Sequence, residues 1–246
     1  MAFLGVETSL TGRKWLGPTV ELERAAELIV QDTDLPRALA QVLARRGVGA
    51  QEAASFLAPQ LRDLMPDPRS LKDMERASAR IVRALDGRER VAIFADYDVD
   101  GGTSAALLID WFRALGHDAT LYVPDRIDEG YGPNAPAMEM LAADHSLIIC
   151  VDCGTLSHEA LAAATGTDII VLDHHLGSET LPPALAVVNP NRQDETGDLA
   201  HPCAAALVFL TPVDAGRLLR ERGDQGPYLI SLLAHVPRAH SAALPP

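Results

Sequence analysis

Three apolar runs in this chain each end in residues that can do chemistry. Asp173-His174-His175 follows Asp168-Ile169-Ile170-Val171-Leu172. Asp96-Tyr97-Asp98-Val99-Asp100-Gly101 follows Val91-Ala92-Ile93-Phe94-Ala95, and Val151-Asp152-Cys153-Gly154 follows Leu147-Ile148-Ile149-Cys150. Short apolar runs bounded by turn residues read as buried strands. Carboxylates and imidazoles therefore leave three strands at their carboxyl ends, where open parallel sheets place their ligands. Hard oxygen donors with imidazole, and no need for thiolate, suit Mg²⁺ or Mn²⁺.

Asp96, Asp98 and Asp100 are spaced two apart, so on a regular strand they would share one face. Three carboxylates on one face repel unless cations sit among them. Gly101 and Gly102 allow a sharp turn, and Thr103 or Ser104 can cap a following helix. Taken alone, this segment also reads as an acidic surface loop with a helix cap. Asp152 alone could be a turn residue, and His174 with His175 alone could be a surface turn. The bland readings weaken together because all three sites occupy equivalent strand ends. Converging carboxylates and imidazole would hold two divalent ions ~4 Å apart, activate a water and clamp a phosphoryl oxygen. The reaction class is metal-assisted phosphoester hydrolysis.

The elements that must position these residues are legible in the periodicity. Strands are expected at about 91–95, 119–123, 147–152, 168–172 and 185–188, with helices at about 103–115, 134–143 and 157–164. Alternation of this kind indicates βαβ units, an α/β fold with a parallel five-stranded sheet flanked by helices. Ahead of it, residues 1 to about 20 read as an irregular arm and 21–58 as helices, with Gln51 to Leu57 as a short one. Pro59, Pro66 and Pro68 mark a linker, and a helix from about Leu71 to Leu85 leads into the first strand. Helices are also expected at about Cys203 to Arg222 and 226–233. The domain boundaries read as 1–70 (helical segment and linker), 71–233 (α/β domain) and 234–246 (atypical tail).

With 246 residues, 48% of them hydrophobic, the chain can bury a substantial core. No apolar run approaches the ~20 residues of a membrane span, and the first residues lack the features of a signal peptide; a cytoplasmic protein is expected. Cys150, Cys153 and Cys203 are too few for a disulfide scaffold. Cys150 and Cys153 have CxxC spacing but straddle a strand end, and they read as buried small residues rather than a zinc or redox pair. The net charge of −13 argues against a protein that coats nucleic acid, though not against a nuclease. Some of that acid is the metal site, where bound cations reverse the local sign.

DYDVDGGTS at 96–104, VDCG at 151–154 and LDHH at 172–175 resemble the first three motifs of the DHH phosphoesterase superfamily. VPDRIDEGYGPN at 123–134, VNPNRQD at 188–194 and the amino-terminal GRKW segment are more selective, and resemble the RecJ group of single-stranded-DNA-specific exonucleases. The likeness runs from near the amino terminus to about Leu233. It implies that Asp98 and Asp100 are metal-binding carboxylates, Asp96 the leading acid of the motif, and Asp152 a carboxylate that bridges two Mn²⁺ or Mg²⁺ ions. His174 matches a metal ligand, and His175 a histidine that contacts the scissile phosphate and assists the leaving group. Asp173 would orient the histidine pair. Arg126 could hold a phosphate, or be a surface arginine, and Tyr131 could stack on a base, or be a turn aromatic. Asn191 and Arg192 are weaker candidates for substrate contact. The implied product is mononucleotides, released from the 5′ end of single-stranded DNA with slight sequence preference. Proteins of recombination or mismatch repair are the further partners implied, and no membrane is.

The sequence departs from the pattern in two places. Some superfamily members have a histidine where Phe94 stands. The fourth motif would supply another aspartate after Leu229-Ile230-Ser231-Leu232-Leu233, but the next residue is Ala234, followed by His235-Val236-Pro237-Arg238-Ala239-His240. The expectation is an amino-terminal portion of such an exonuclease, cut by truncation or frameshift at 233/234, without the DHH-associated and OB domains and with impaired activity. Two alternatives stand beside it: a phosphodiesterase acting on short oligonucleotides or cyclic dinucleotides, and a non-catalytic binding or scaffold fragment.

Overall fold

The computed structural model describes residues 2–237 apart from Asp198, Gln225 and Tyr228. The chain divides into two compact units, Met1–Pro66 and Asp67–Pro246. The first is helical: α1 (Val20–Thr33), α2 (Arg37–Arg45), α3 (Ala50–Leu57) and a single turn, α4 (Leu61–Leu64). Thr19 caps α1 by accepting from the Leu22 amide. Ala26, Ile29, Ala40, Leu43, Ala44, Val48 and Ala53 form its core.

The second unit runs α5 (Met74–Asp86), β1 (Val91–Ala95), α6 (Val99–Ala114), β2 (Ala119–Tyr122), α7 (Ala135–Asp144), β3 (Leu147–Val151), α8 (His158–Ala163), β4 (Asp168–Leu172), β5 (Ala186–Val188) and α9 (Ala204–Glu221). All five strands are parallel, in the order β2-β1-β3-β4-β5. Burial on both faces explains why β1, β3, β4 and β5 read as unbroken apolar runs. Alternate residues Ala92, Phe94, Ile148, Cys150, Ile169, Val171 and Val187 pack under α7 and α8. Helix α9 packs against both α5 and α6, and all three touch the sheet. The strand order reverses beside β1: the chain steps outward to β2, then returns to lay β3 on the other flank. The crevice between the carboxyl ends of β1 and β3 is thus the switch point of the sheet.

The amino-terminal edge is pinned by one buried arginine. Arg80 on α5 donates from Nε to Asp168 at 2.5 Å, and from Nη2 to Glu89 at 2.7 Å and the Ser146 carbonyl at 3.1 Å, joining the entries of three strands. Removing one partner of a buried ion pair leaves the others uncompensated, so Arg80→Ala is expected to cost about 3 kcal/mol. The check is urea unfolding: the midpoint should fall with little change in m-value, and an unmoved midpoint would deny Arg80 this role.

The elements differ from expectation in particular places. Helix α6 starts at Val99, four residues before the expected 103, because Asp98 caps it (below). The helical region expected over 226–233 is a 3-10 helix at Leu229–Ala234, and Gln225 and Tyr228 ahead of it lie outside the described residues. Most of the tail expected at 234–246 also lies outside them. Within the described part, His235 pairs with Asp110 at 3.2 Å, and Val236 packs on Cys203 and Ala205.

Candidate metal centre

The register aligns Ala95 with Val151, Leu172 and Val188 across β1, β3, β4 and β5. The next residue on each strand is Asp96, Asp152, Asp173 and Asn189. The ladder carries on one step: Asp96 N donates to Val151 O (3.4 Å), Asp152 N to Leu172 O (2.9 Å) and Asp173 N to Val188 O (3.1 Å). Three carboxylates and an amide therefore stand in a row along the carboxyl edge, all at most 2% exposed. Asn189 was not expected as a site residue. Its signal was the same as that of the aspartates: the first polar residue after an apolar run.

The acidic segment does not continue as a strand, so Asp96, Asp98 and Asp100 do not share a strand face. Asp98 is the N-cap of α6, accepting from the Gly101 amide at 2.9 Å. Thr103 and Ser104 are not the cap: Thr103 donates back to the Val99 carbonyl, and Ser104 is buried inside the helix. A Cβ on Gly101 would lie 2.4 Å from the Asp96 carbonyl oxygen, so only glycine lets the helix start this close to the strand end. Asp152 has φ +60°, a left-handed backbone that aspartate and asparagine tolerate better than most residues.

Two sets of ligand atoms converge: Asp152 with His174 and His175, and Asp96 with Asp98 and Asp152, each set lying within 4.8 Å. Asp152 belongs to both. Asp100 stands outside both sets and faces α9, its two oxygens accepting from the Ala204 and Ala205 amides at 2.8 Å each. Its Oδ2 is still 3.7 Å from His174 Nε2.

The histidines are held from behind. His174 Nδ1 lies 3.1 Å from the Pro202 carbonyl, which can only accept, so Nδ1 carries the hydrogen and Nε2 is left facing Asp152 Oδ1 at 3.3 Å. Asp173 accepts from His175 Nδ1 (2.8 Å), from the His174 and His175 amides, and from the Thr155 amide (3.0 Å). Burial by itself would raise the Asp173 carboxyl, but the bonds from His175 and Thr155 overcome it and hold it at about 2. The bond from Asp173 in turn raises the His175 imidazole above its ordinary range. Asn189 donates to Thr155 Oγ1 and to the His175 carbonyl, both at 2.8 Å.

The opposite shift marks the two carboxylates on the switch point. Burial raises both Asp96 and Asp152, and in Asp152 it outweighs the lowering by His174, with Asp100 and Asp98 adding repulsion. Oδ1 of each is buried and accepts no hydrogen bond. Buried polar atoms are rarely left orphaned, and two carboxylates about 5 Å apart repel by roughly 3 kcal/mol at an effective dielectric near 20. Oxygen and imidazole donors with unfilled lone pairs, crowded against like charge, fit a hard divalent cation.

The remaining candidates separate. Tyr131 Oη lies 3.2 Å from His175 Nε2, and its ring is half exposed. Arg126 is exposed and sits over Tyr97, 5.5 Å from the ring centroid. Asn191 and Arg192 turn inward, against the expectation of substrate contact. Asn191 donates to the His174 carbonyl. Arg192, 7% exposed, is taken up by Asp194, Asp73 and the Val187 carbonyl, a buried brace under β5. Cys150 and Cys153 are both buried, and burial pushes the Cys150 thiol up to about 12.

Residues 90–229 match the DHH family, N-terminal domain. The chain belongs to the DHH family. Among proteins similar to this DHH chain is the single-stranded-DNA-specific exonuclease RecJ of Bacillus subtilis, 38% identical over 70% of the chain and 22% of that protein. The enzyme of the same name from Salmonella typhimurium is 33% identical over 82% of the chain and 35% of its own length. The chain thus spans about a fifth to a third of these relatives. Among solved structures, Thermus thermophilus RecJ in complex with Mn²⁺ superposes with TM-score 0.65 at 28% identity, over 85% of the DHH chain and 28% of that structure. A manganese-bound exonuclease RecJ superposes with TM-score 0.55 at 33% identity, over 64% and 40% respectively. The shared fold confirms the expected parallel α/β architecture. No described helix is long and apolar enough to cross a membrane.

Proposed function

We propose that this chain carries the hydrolytic centre of a single-stranded-DNA-specific 5′→3′ exonuclease that releases mononucleotides. One observation carries the reading: Asp152, with an orphaned buried oxygen, belongs to both ligand sets at the switch point. Asp96, Asp98 and Asp152 would hold one Mn²⁺ or Mg²⁺, and Asp152 with His174 the other. Such ions supply positive charge against phosphoryl oxygens and lower the pKa of water. His175 is backed by Asp173, its side chain is half exposed and its Nε2 meets the Tyr131 hydroxyl, so it would donate a proton to a phosphate oxygen on the leaving side. Asp100 would act through α9, fixing the Pro202 carbonyl that sets the His174 tautomer. Arg126 and Tyr131 would take the backbone and a base of the strand, neither of which reads sequence. The RecJ names and manganese complexes of the relatives support this substrate and cofactor, and the reading extends to a cytoplasmic role in DNA repair or recombination.

The test incubates the chain with Mn²⁺ and 5′-labelled single-stranded DNA, the same strand in a duplex, and a dinucleotide, beside His175→Ala. Mononucleotide release from the single strand alone, lost in His175→Ala, is the expected result. Faster cleavage of the dinucleotide than of the long strand would replace this reading with a short-oligonucleotide phosphodiesterase. Absence of both cleavage and Mn²⁺ binding would leave a non-catalytic fragment.

A further inference from the structure

The loop between β2 and α7 carries Arg126 and Tyr131, and its tip has little to hold it. Arg126 is exposed, and Ile127 beside it is 91% exposed. Its own fastenings lie elsewhere: Asp125 accepts from the Ile127 and Asp128 amides, and Glu129 accepts from the Asp125 amide and the Tyr122 hydroxyl. None of these aims the Arg126 guanidinium; Tyr131 is held at its far end, where its hydroxyl donates to the Asp152 carbonyl at 3.4 Å and meets His175 Nε2 at 3.2 Å. One ring touches both. Tyr97 lies under the Arg126 guanidinium at 5.5 Å and meets Tyr131 edge-on, with centroids 6.2 Å apart and planes at 87°. Tyr131 then meets His175 edge-on at 5.9 Å. The series Arg126–Tyr97–Tyr131–His175 is unbroken, and Tyr97 is its only member on the acidic segment, fixed between Asp96 and the helix cap Asp98. Its hydroxyl takes part in no hydrogen bond among the described residues, so the contacts are those of the ring. Cation–π and edge-to-face contacts need the π face and its positive edge, not the hydroxyl.

We infer that Tyr97 is a positioning residue that holds Arg126 and Tyr131 over the metal centre and so sets the grip on the DNA strand; the inference rests on the single-stranded-DNA reading above. An aliphatic side chain at 97 would free the guanidinium and strip Tyr131 of its edge contact, leaving that ring held by its hydroxyl alone, without removing any metal ligand.

The test compares Tyr97→Leu and Tyr97→Phe on the full chain with Mn²⁺. For single-stranded DNA, Tyr97→Leu should raise KM about tenfold, a contact-scale loss, with kcat within about twofold. Mn²⁺ affinity by calorimetry and hydrolysis of bis-p-nitrophenyl phosphate, a diester with one phosphate and no further strand to grip, should hold. Tyr97→Phe should restore KM. Arg126→Met should also raise KM, and the double variant Tyr97→Leu/Arg126→Met should be no worse than the more impaired single variant. An independent readout is NMR: the Arg126 δ-methylene protons should be shifted upfield by the ring, the shift lost in Tyr97→Leu and kept in Tyr97→Phe. An unchanged KM, a fall in Mn²⁺ affinity, or additive effects in the double variant would each overturn the inference while sparing the exonuclease reading. If the wild-type chain cleaves no DNA, the exonuclease reading fails, and the NMR shift alone decides whether Tyr97 holds Arg126.

Discussion

Asp152→Asn is expected to abolish metal-dependent hydrolysis and, in the same protein, to raise the stability of the metal-free chain. The two effects have one cause. Asp152 stands in both ligand sets and is buried beside Asp96, so its charge is useful only when cations are present. Loss of a shared ligand should remove several kcal/mol of charge stabilisation, or about 10³-fold or more in rate. Without metal the same carboxylate is a burden. A carboxyl whose pKa is raised on folding binds more protons in the native state than in the unfolded one. Metal-free stability therefore falls as pH rises from the ordinary carboxylate range towards the raised value. Asparagine removes that slope and still accepts the left-handed backbone at 152. Thermal scans with EDTA and with Mn²⁺ check both halves. A variant that keeps its Mn²⁺-induced rise in Tm would sink the assignment of Asp152 as the shared ligand.

The second large effect is expected from Asp173→Asn. Asp173 accepts at four points, and the one that matters for chemistry is His175 Nδ1. An asparagine that keeps its oxygen toward His175 loses the negative charge and turns its NH2 against the Thr155 amide, which also donates; the reversed amide offers N–H to a ring nitrogen that already carries hydrogen, or forces the other tautomer and turns the Nε2 proton away from the substrate. In hydrolases whose histidine is backed by aspartate, this change costs about 10⁴ in kcat, and a loss of about 10³ or more is expected here. His174 keeps its own anchor at Pro202, so Mn²⁺ affinity should fall no more than about 10–100-fold, the usual cost of disturbing a group behind a ligand. The Asp173 carboxyl, held at about 2, also contributes stability above the ordinary carboxylate range that is lost as pH falls through that value. The variant should therefore lose part of its acid unfolding profile. Near-normal kcat at saturating metal would show that Asp173 only shapes the loop.

What the sequence made legible follows from burial. Strands covered on both faces must be apolar throughout, so a run such as Leu147-Ile148-Ile149-Cys150 announces its own end, and the first polar residue after it is the site. The local shape of the acidic segment was not legible, because spacing of two reads as a strand face unless the start of α6 is known. Asp98 as cap, with Gly101 pressed against the Asp96 carbonyl, decides that start. An arginine beside a histidine loop looks the same in sequence whether it faces substrate or, as Arg192 does, Asp73 and Asp194. Asn189 carries the same signal as the aspartates, after Ala186-Val187-Val188, whereas the role of Tyr97 lies in ring contacts across 34 residues of chain, which no local pattern encodes.

The bonds from Ala204 and Ala205 to Asp100 join positions 104 and 105 residues apart, with four of the five strands lying between. A clasp of that span is expected to close after the intervening sheet has paired, since distant contacts bear their loop-closure entropy before they return anything. The acidic segment and the start of α9 therefore belong to the last cooperative step of folding. Loosening the clasp should speed unfolding and leave the folding rate nearly untouched. Because the same closure fixes the Pro202 carbonyl behind His174, late closure would leave the metal ligands unordered until folding is complete, and a chain still folding would offer no ordered centre.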